Sequence, residues 1–223
     1  GKVLEQLNRF EDAIENYIIT LKLDEPTSFA LLRIGCCYEK LENYDLALQY
    51  YDRTVHEDPQ LDKGWIAITK FHNKKGNYQR ALFFINKALN IDSENVIYWK
   101  LYAQINQRLK FYEEGERGYK KTIELGNYEL NTWLSRGDLL IKLGEIKTAI
   151  FNFEQAIEFY PDNAELEYRL AGLFFTLKEQ DKGTFYLKNG FKHNEDYSFI
   201  IEELFPIISK ELSVKKILKQ INN

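Results

Sequence analysis

Trp65, Trp99 and Trp133 stand 34 residues apart each time, and the chain around them repeats in the same register. Small residues fall on a second ladder of the same period: Ala13, Ala47, Ala81, Gly115, Ala149 and Gly183. Large aromatics follow four places later in most units, at Tyr17, Tyr51, Tyr119 and Phe153. A period of this length, held without an insertion, makes the chain a solenoid of stacked supersecondary units, because one such unit cannot bury its apolar face alone. It also shifts the expectation from chemistry to binding.

Each unit holds two apolar patterns of helical period placed back to back. In the second unit Leu31, Ile34, Cys37, Tyr38 and Leu41 share one helical face, and Tyr44, Ala47, Leu48, Tyr51 and Val55 share another. Pro59 stops the second helix, since proline cannot continue the hydrogen-bond ladder. Gly76 and Gly144 end the first helices of two other units, because glycine adopts the left-handed conformation that terminates a helix.

These residues resemble the tetratricopeptide repeat, a pair of antiparallel helices with the pattern W-x2-L-G-x2-Y, then A-x3-F, then P. The second unit reads Leu31, Ile34, Gly35, Tyr38, Ala47, Tyr51 and Pro59 at these places; the fifth reads Trp133, Arg136, Gly137, Leu140, Ala149, Phe153 and Pro161. The resemblance implies an all-α fold, a right-handed superhelical solenoid of antiparallel helix pairs with about 5.5 repeats. It covers residues 1–197: a partial unit 1–27, then units 28–61, 62–95, 96–129, 130–163 and 164–197. Residues 198–223 leave the period and are expected to form C-terminal capping helices, one bent or broken at Pro206 and a last one through Leu212, Ile217, Leu218 and Ile221. That last helix would keep Lys215, Lys216 and Lys219 on its wet side. Mid-helix glycines at Gly115, Gly118, Gly172, Gly183 and Gly190 depart from the pattern and are read as close packing rather than as soft joints.

A hydrophobic fraction of 44% excludes disorder, and a net charge of −4 predicts no attraction of the whole molecule to nucleic acid or an anionic membrane. No apolar run approaches the ~18 residues that span a bilayer. Cys36 and Cys37 are adjacent and cannot form a spaced disulfide framework, which places the chain in the cytoplasm ahead of the periplasm. The chain starts at Gly1 inside a repeat and is expected to be part of something longer.

Nothing in the sequence points to catalysis. His56, His72 and His193 fall in different units and on different faces and make no metal set. His72 takes an aromatic position and is expected to be packed in the core. Cys37 should point into its helix pair, and Cys36 has no histidine at a matching place to activate a thiolate. Asp138 and Glu165 are read as single solvated acids. With no phosphate loop and no dinucleotide fingerprint, neither an enzyme nor a cofactor is expected.

In the family that the repeat resembles, the first helix of each unit lines a concave groove. The resemblance assigns the second, fifth, ninth, twelfth and thirteenth places of each unit to it. Across five complete units these places carry a charge of +4, while the rest of the chain carries −8. Lys40, Lys74, Arg108 and Lys142 lie near first-helix C-termini, where a cation suits the helix dipole in any case. Lys63, Lys70 and Lys100 have no such reason and cluster in units three and four, beside Ile66, Asn73, Ile97, Gln104 and Gln107. Phe29 and Leu32 flank the patch at one end; Leu134, Asp138, Ile141, Lys142, Tyr168 and Phe175 continue it at the other. The resemblance thus implies a non-catalytic protein–protein interaction scaffold that takes a peptide or helix with an acidic segment. The alternative is a substrate-recruiting or regulatory segment of a longer catalytic or membrane-associated protein. No nucleic-acid partner is expected, and a truncated first unit offers a route to a homodimer through the terminal units.

Overall fold

The computed structural model describes residues 1–23 and 27–210. The expected last helix, with Leu212, Lys215, Lys216, Ile217, Leu218, Lys219 and Ile221, lies outside these residues. The described secondary structure is helical throughout. Contacts divide the chain into two compact bodies, Gly1–Glu114 and Gly115–Asn223.

The N-terminal body contains α1 (Lys2–Gln6), α2 (Phe10–Leu21), α3 (Thr27–Lys40), α4 (Tyr44–Glu57), α5 (Asp62–Lys74), α6 (Tyr78–Ile91) and α7 (Val96–Arg108). The division falls near the start of α8 (Tyr112–Glu124). The C-terminal body continues with α9 (Leu130–Lys142), α10 (Ile146–Phe159), α11 (Ala164–Thr176) and α12 (Gln180–His193). A short 3-10 turn, α13 (Phe199–Leu204) and a second 3-10 turn at Ile208–Lys210 follow. Within each body, helices consecutive in sequence pack on one another: α2 on α3, α3 on α4, α4 on α5, α5 on α6 and α6 on α7 in the first, and α9 on α10, α10 on α11 and α11 on α12 in the second.

The turn inside each pair is built the same way every time. One residue adopts the left-handed conformation at Asn8, Glu42, Gly76, Lys110, Gly144 and Lys178. The next residue's N–H then reaches back to a carbonyl five residues earlier, as from Asn43 to Tyr38 at 2.9 Å and from Glu145 to Leu140 at 2.9 Å. This closure satisfies carbonyls left over at the helix end. Four of the six positions hold a residue with a β-carbon, at a cost of roughly 1–2 kcal/mol each. Repeat packing therefore overrides local preference.

Side-chain size is traded across each pair. Ala13, Ala47, Ala81, Gly115, Ala149 and Gly183 are all buried. Tyr51 and Phe153 fill the space opposite and leave room only for glycine on the first helix. A β-carbon on Gly35 would lie 2.6 Å from the Tyr51 ring, and one on Gly137 only 2.0 Å from Phe153. Where the second helix offers the smaller Ile85, the matching first-helix residue is Thr69.

The three ladder tryptophans are not equivalent. Trp65 and Trp99 are half-buried, and each indole N–H donates to the carbonyl six residues earlier, Pro59 at 2.9 Å and Ser93 at 2.7 Å. Trp133 is 3% exposed, is stacked against Tyr128 and Phe159, and its indole N–H reaches no acceptor. The turn before it runs Gly126-Asn127-Tyr128 instead of following the earlier pattern, and Gly126 is left-handed. Tyr128 covers the indole there.

The segment after α12 closes the end of the C-terminal body. Ile200, Ile201, Phe205 and Ile208 are buried in its core. The Phe205 ring lies where a β-carbon on Gly172 would be, 2.2 Å from it, so that glycine is needed for close approach. Gly183 likewise admits Phe175. As a result α11 is buried without interruption from Leu166 to Phe175. The break before Pro206 falls where the sequence places it, since α13 ends at Leu204.

Candidate interaction surface

Three of the five places assigned to the groove stay exposed in the N-terminal body, and they form one stripe per first helix. On α5 the stripe is Lys63, Lys70 and Lys74; on α7 it is Ile97, Gln104 and Arg108. Spacings of seven and then four residues return to the same side of a helix of 3.6 residues per turn. On α3 the same places hold Phe29, half-buried Cys36 and exposed Lys40.

The other two places turn inward. Leu32 and Ile66 are each only 7% exposed and belong to apolar clusters. Ile66 packs with Tyr98, Leu101 and Tyr102, which holds α5 against α7. The Tyr98 hydroxyl donates to the Asp62 carboxylate and ties the same two helices at their starts. Glu39 accepts from the Tyr51 hydroxyl at 2.8 Å, and Glu5 from Tyr17 at 2.6 Å, so this place serves the interior of the helix pair. Asn73 and Lys100 are half-buried at the foot of the α5 and α7 stripes. The Lys74 ammonium sits 5.1 Å from the centre of the Tyr44 ring.

The remaining candidates belong to the C-terminal body. Leu134 is buried at 7% exposure and forms core, not a groove wall. Tyr168 and Phe175, read as flanking surface, are fully buried. Lys142 is exposed and Ile141 half-buried. Asp138 and Glu165 are not single solvated acids. Arg169 is buried between them, donating to Asp138 at 2.9 and 3.3 Å and to Glu165 at 3.0 Å. A guanidinium fork fits a carboxylate this way, and the one cation is shared between the two acids, leaving a net charge of −1. Arg33 plays a comparable part near the other end, donating to the Glu5 carboxylate. Both arginines sit at the sixth place of their repeats, which single-residue inspection passes over because Glu5 and Asp138 lie 28 and 31 residues away.

Among the described residues no cluster of histidine, cysteine or carboxylates could hold a metal ion, and no helix is long and apolar enough to cross a membrane. Burial pushes the Cys37 thiol up to about 12, and burial raises Cys36 as well, so neither is poised as a thiolate. His193 lies 2.7 Å from the buried Glu167 carboxylate.

His72 is buried, stacked on Phe84 and edge-on to Phe71, and burial holds its pKa below the usual histidine range. A lowered folded-state value means that unfolding takes up a proton. The neutral ring's contribution is present above the unfolded value of roughly 6.5 and is lost as pH falls below it. His72→Phe, which copies Phe174 at the same place in the last repeat, is expected to lose less stability than the parent between neutral and mildly acidic pH. Denaturant melts along that range check it; equal pH slopes would exclude a buried neutral His72.

Comparison with known proteins agrees with this architecture. Two models of the tetratricopeptide repeat match residues 28–61 and 130–163. The TPR repeat-containing protein MJ1428 of Methanocaldococcus jannaschii is 24% identical over 202 residues, covering 82% of this chain and 35% of that protein. Anaphase-promoting complex subunit 3 of Schizosaccharomyces pombe is 22% identical over 145 residues, covering 65% of this chain and 22% of that protein. The chain thus spans about a third or less of the length of these curated relatives. Among solved structures, YrrB, a TPR protein with an unusual peptide-binding site, superposes with a TM-score of 0.73 at 15% identity, covering 85% of this chain and 98% of YrrB. The 34-residue period, the helix pairs closed by one recurrent turn, and these matches identify the chain as a member of the tetratricopeptide repeat family.

Proposed function

We propose that the chain is a non-catalytic protein–protein interaction scaffold that holds a peptide or helix of a partner along the exposed stripes of α5 and α7, favouring a segment with an acidic middle. The observation that carries this reading is the set Lys63, Lys70, Lys74 and Arg108, all exposed on two helices held side by side in a chain of net charge −4. Cations at the helix ends need no ligand to explain them, but Lys63 sits in the first turn of α5, where the dipole disfavours positive charge, and Lys70 lies outside the last turn, where the dipole would favour it. Ile97, 66% exposed at the start of α7, supplies an apolar anchor beside the charges. Neighbouring tetratricopeptide proteins support the type of function: YrrB has a peptide-binding site.

The second reading, a recruiting or regulatory part of a longer protein, is supported by the greater length of the relatives. Two free thiols, Cys36 and Cys37, suit a reducing compartment such as the cytoplasm.

The test compares the parent with a Lys70→Glu/Lys74→Glu/Arg108→Glu variant of equal stability, using capture from the native host's lysate and a synthetic peptide with an acidic centre and apolar ends. Reversing three charges at the site should weaken the acidic probe at least tenfold, and added salt should weaken the parent's binding. Probe and partners held equally by both proteins would move the site away from α5 and α7.

A further inference from the structure

The second helices of the N-terminal body carry a surface that the proposed function does not use. An open pocket of about 370 Å³ lies between α4 and α6. Leu48, His72, Phe83 and Phe84 line it, and Phe83 is itself 57% exposed at its edge. The Phe83 and Phe84 rings meet edge to face at 5.1 Å, and Lys87 lies 5.3 Å from the centre of the Phe83 ring. A knob and a hole therefore share one small patch.

The same patch carries one acid and one base. Asp52 and Arg80 both line the pocket and both act on the His72 ring, with opposite sign. Among the described residues neither is in an ion pair with the other or with anything else. Asp52 and Arg80 are both exposed, so an arriving partner can reach either charge. A surface that presents a knob next to a hole, and an unpaired acid next to an unpaired base, is complementary to itself. A two-fold pairing of such a patch would let each Phe83 face the other copy's pocket and each Asp52 the other copy's Arg80. Two-fold interfaces are self-complementary in this sense.

We propose that the face formed by α4 and α6 binds a second copy of this chain, with Phe83 seated in the partner's pocket and Asp52 and Arg80 paired reciprocally. The surface is distinct from the α5 and α7 stripes and from the terminal repeats. The C-terminal body provides an internal contrast. Its residues at the matching places are Ile150, Glu154, Phe174, Lys182, Phe185 and Tyr186, and Phe185 is also exposed. There Lys182 already pairs with Glu179 at 2.8 Å and lies 4.9 Å from the Phe174 ring centre, so the unpaired acid-and-base arrangement is absent.

Sedimentation equilibrium over a wide concentration range tests the proposal on the whole chain. The parent should self-associate to a dimer. Asp52→Arg alone and Arg80→Asp alone should each weaken that dimer about a hundredfold or more, because each sets like charges together twice. An equimolar mixture of the two single variants should dimerise again, because each mixed pair restores both contacts. Glu154→Arg should leave the parent dimer unchanged, and the variants should keep the acidic-probe binding of the α5 and α7 surface, which shows that they fold. A parent that stays monomeric at every concentration overturns the proposal and leaves the pocket to another partner chain. A dimer that survives both single variants, or a mixture that does not recover, overturns it equally and shifts association to another surface such as the exposed Val3, Leu7 and Ile19.

Discussion

Trp133→Ala is expected to lower the unfolding free energy by about 3–5 kcal/mol, the largest effect among the three ladder tryptophans. Trp133 is 3% exposed in the core of the C-terminal body and is stacked against Tyr128 and Phe159. Its removal leaves a cavity that neighbours held by the repeat cannot collapse into. Trp65 and Trp99 are half-buried, so the same truncation there should cost clearly less. Replacement by phenylalanine separates packing from hydrogen bonding. Trp133→Phe keeps an aromatic ring and removes an indole N–H that has no acceptor. Trp99→Phe loses the bond to the Ser93 carbonyl, a net contribution of roughly 0.5–1.5 kcal/mol. Denaturant melts of these variants measure the differences. Equal losses for Trp133→Ala and Trp65→Ala would contradict the burial assigned to them.

Phe205→Ala should remove about 3–5 kcal/mol from the C-terminal body and expose its last helix pair. The ring fills the space above Gly172 and is itself 5% exposed, in a segment that leaves the repeat period. With Ile200, Ile201 and Ile208 it forms the contact through which this non-repeat segment covers α11. Without it, α11 would show a face that repeat proteins keep covered at their ends. Hydrogen exchange reads the effect by position. Protection should fall along α11 to α13 and hold in α5 and α6. A uniform loss across the chain would mean that the closing segment does not act locally.

The period was readable from Trp65, Trp99, Trp133 and the alanine–glycine ladder because packing of a repeat fixes residue size at each place. The alanine–glycine ladder and Trp133 are buried as the pattern requires, while Trp65 and Trp99 are half-buried. The turns were half readable. Gly76 and Gly144 announce a left-handed residue, whereas Asn8, Glu42, Lys110 and Lys178 adopt the same conformation with nothing in their chemistry to say so. The candidate surface was readable where charge decides, at Lys63, Lys70 and Arg108, since a lysine or arginine with no partner stays in water. It was not readable at Ile66 and Leu134, because the repeat position alone does not tell which way an apolar side chain leans, and both pack inward. Nor did Asp138 reveal Arg169, because a salt bridge across repeats depends on how helices are juxtaposed, although the i,i+4 spacing of Glu165 and Arg169 on α11 was there to be read.

Lysine footprinting of the chain with and without its captured partner tests the central claim most directly. Acetylation of Lys63, Lys70 and Lys74 should drop on complex formation, while Lys182 on α12 keeps the rate of the free chain. Protection confined to the second helices, with Lys63 and Lys70 modified as fast in the complex as alone, would contradict binding along α5 and α7.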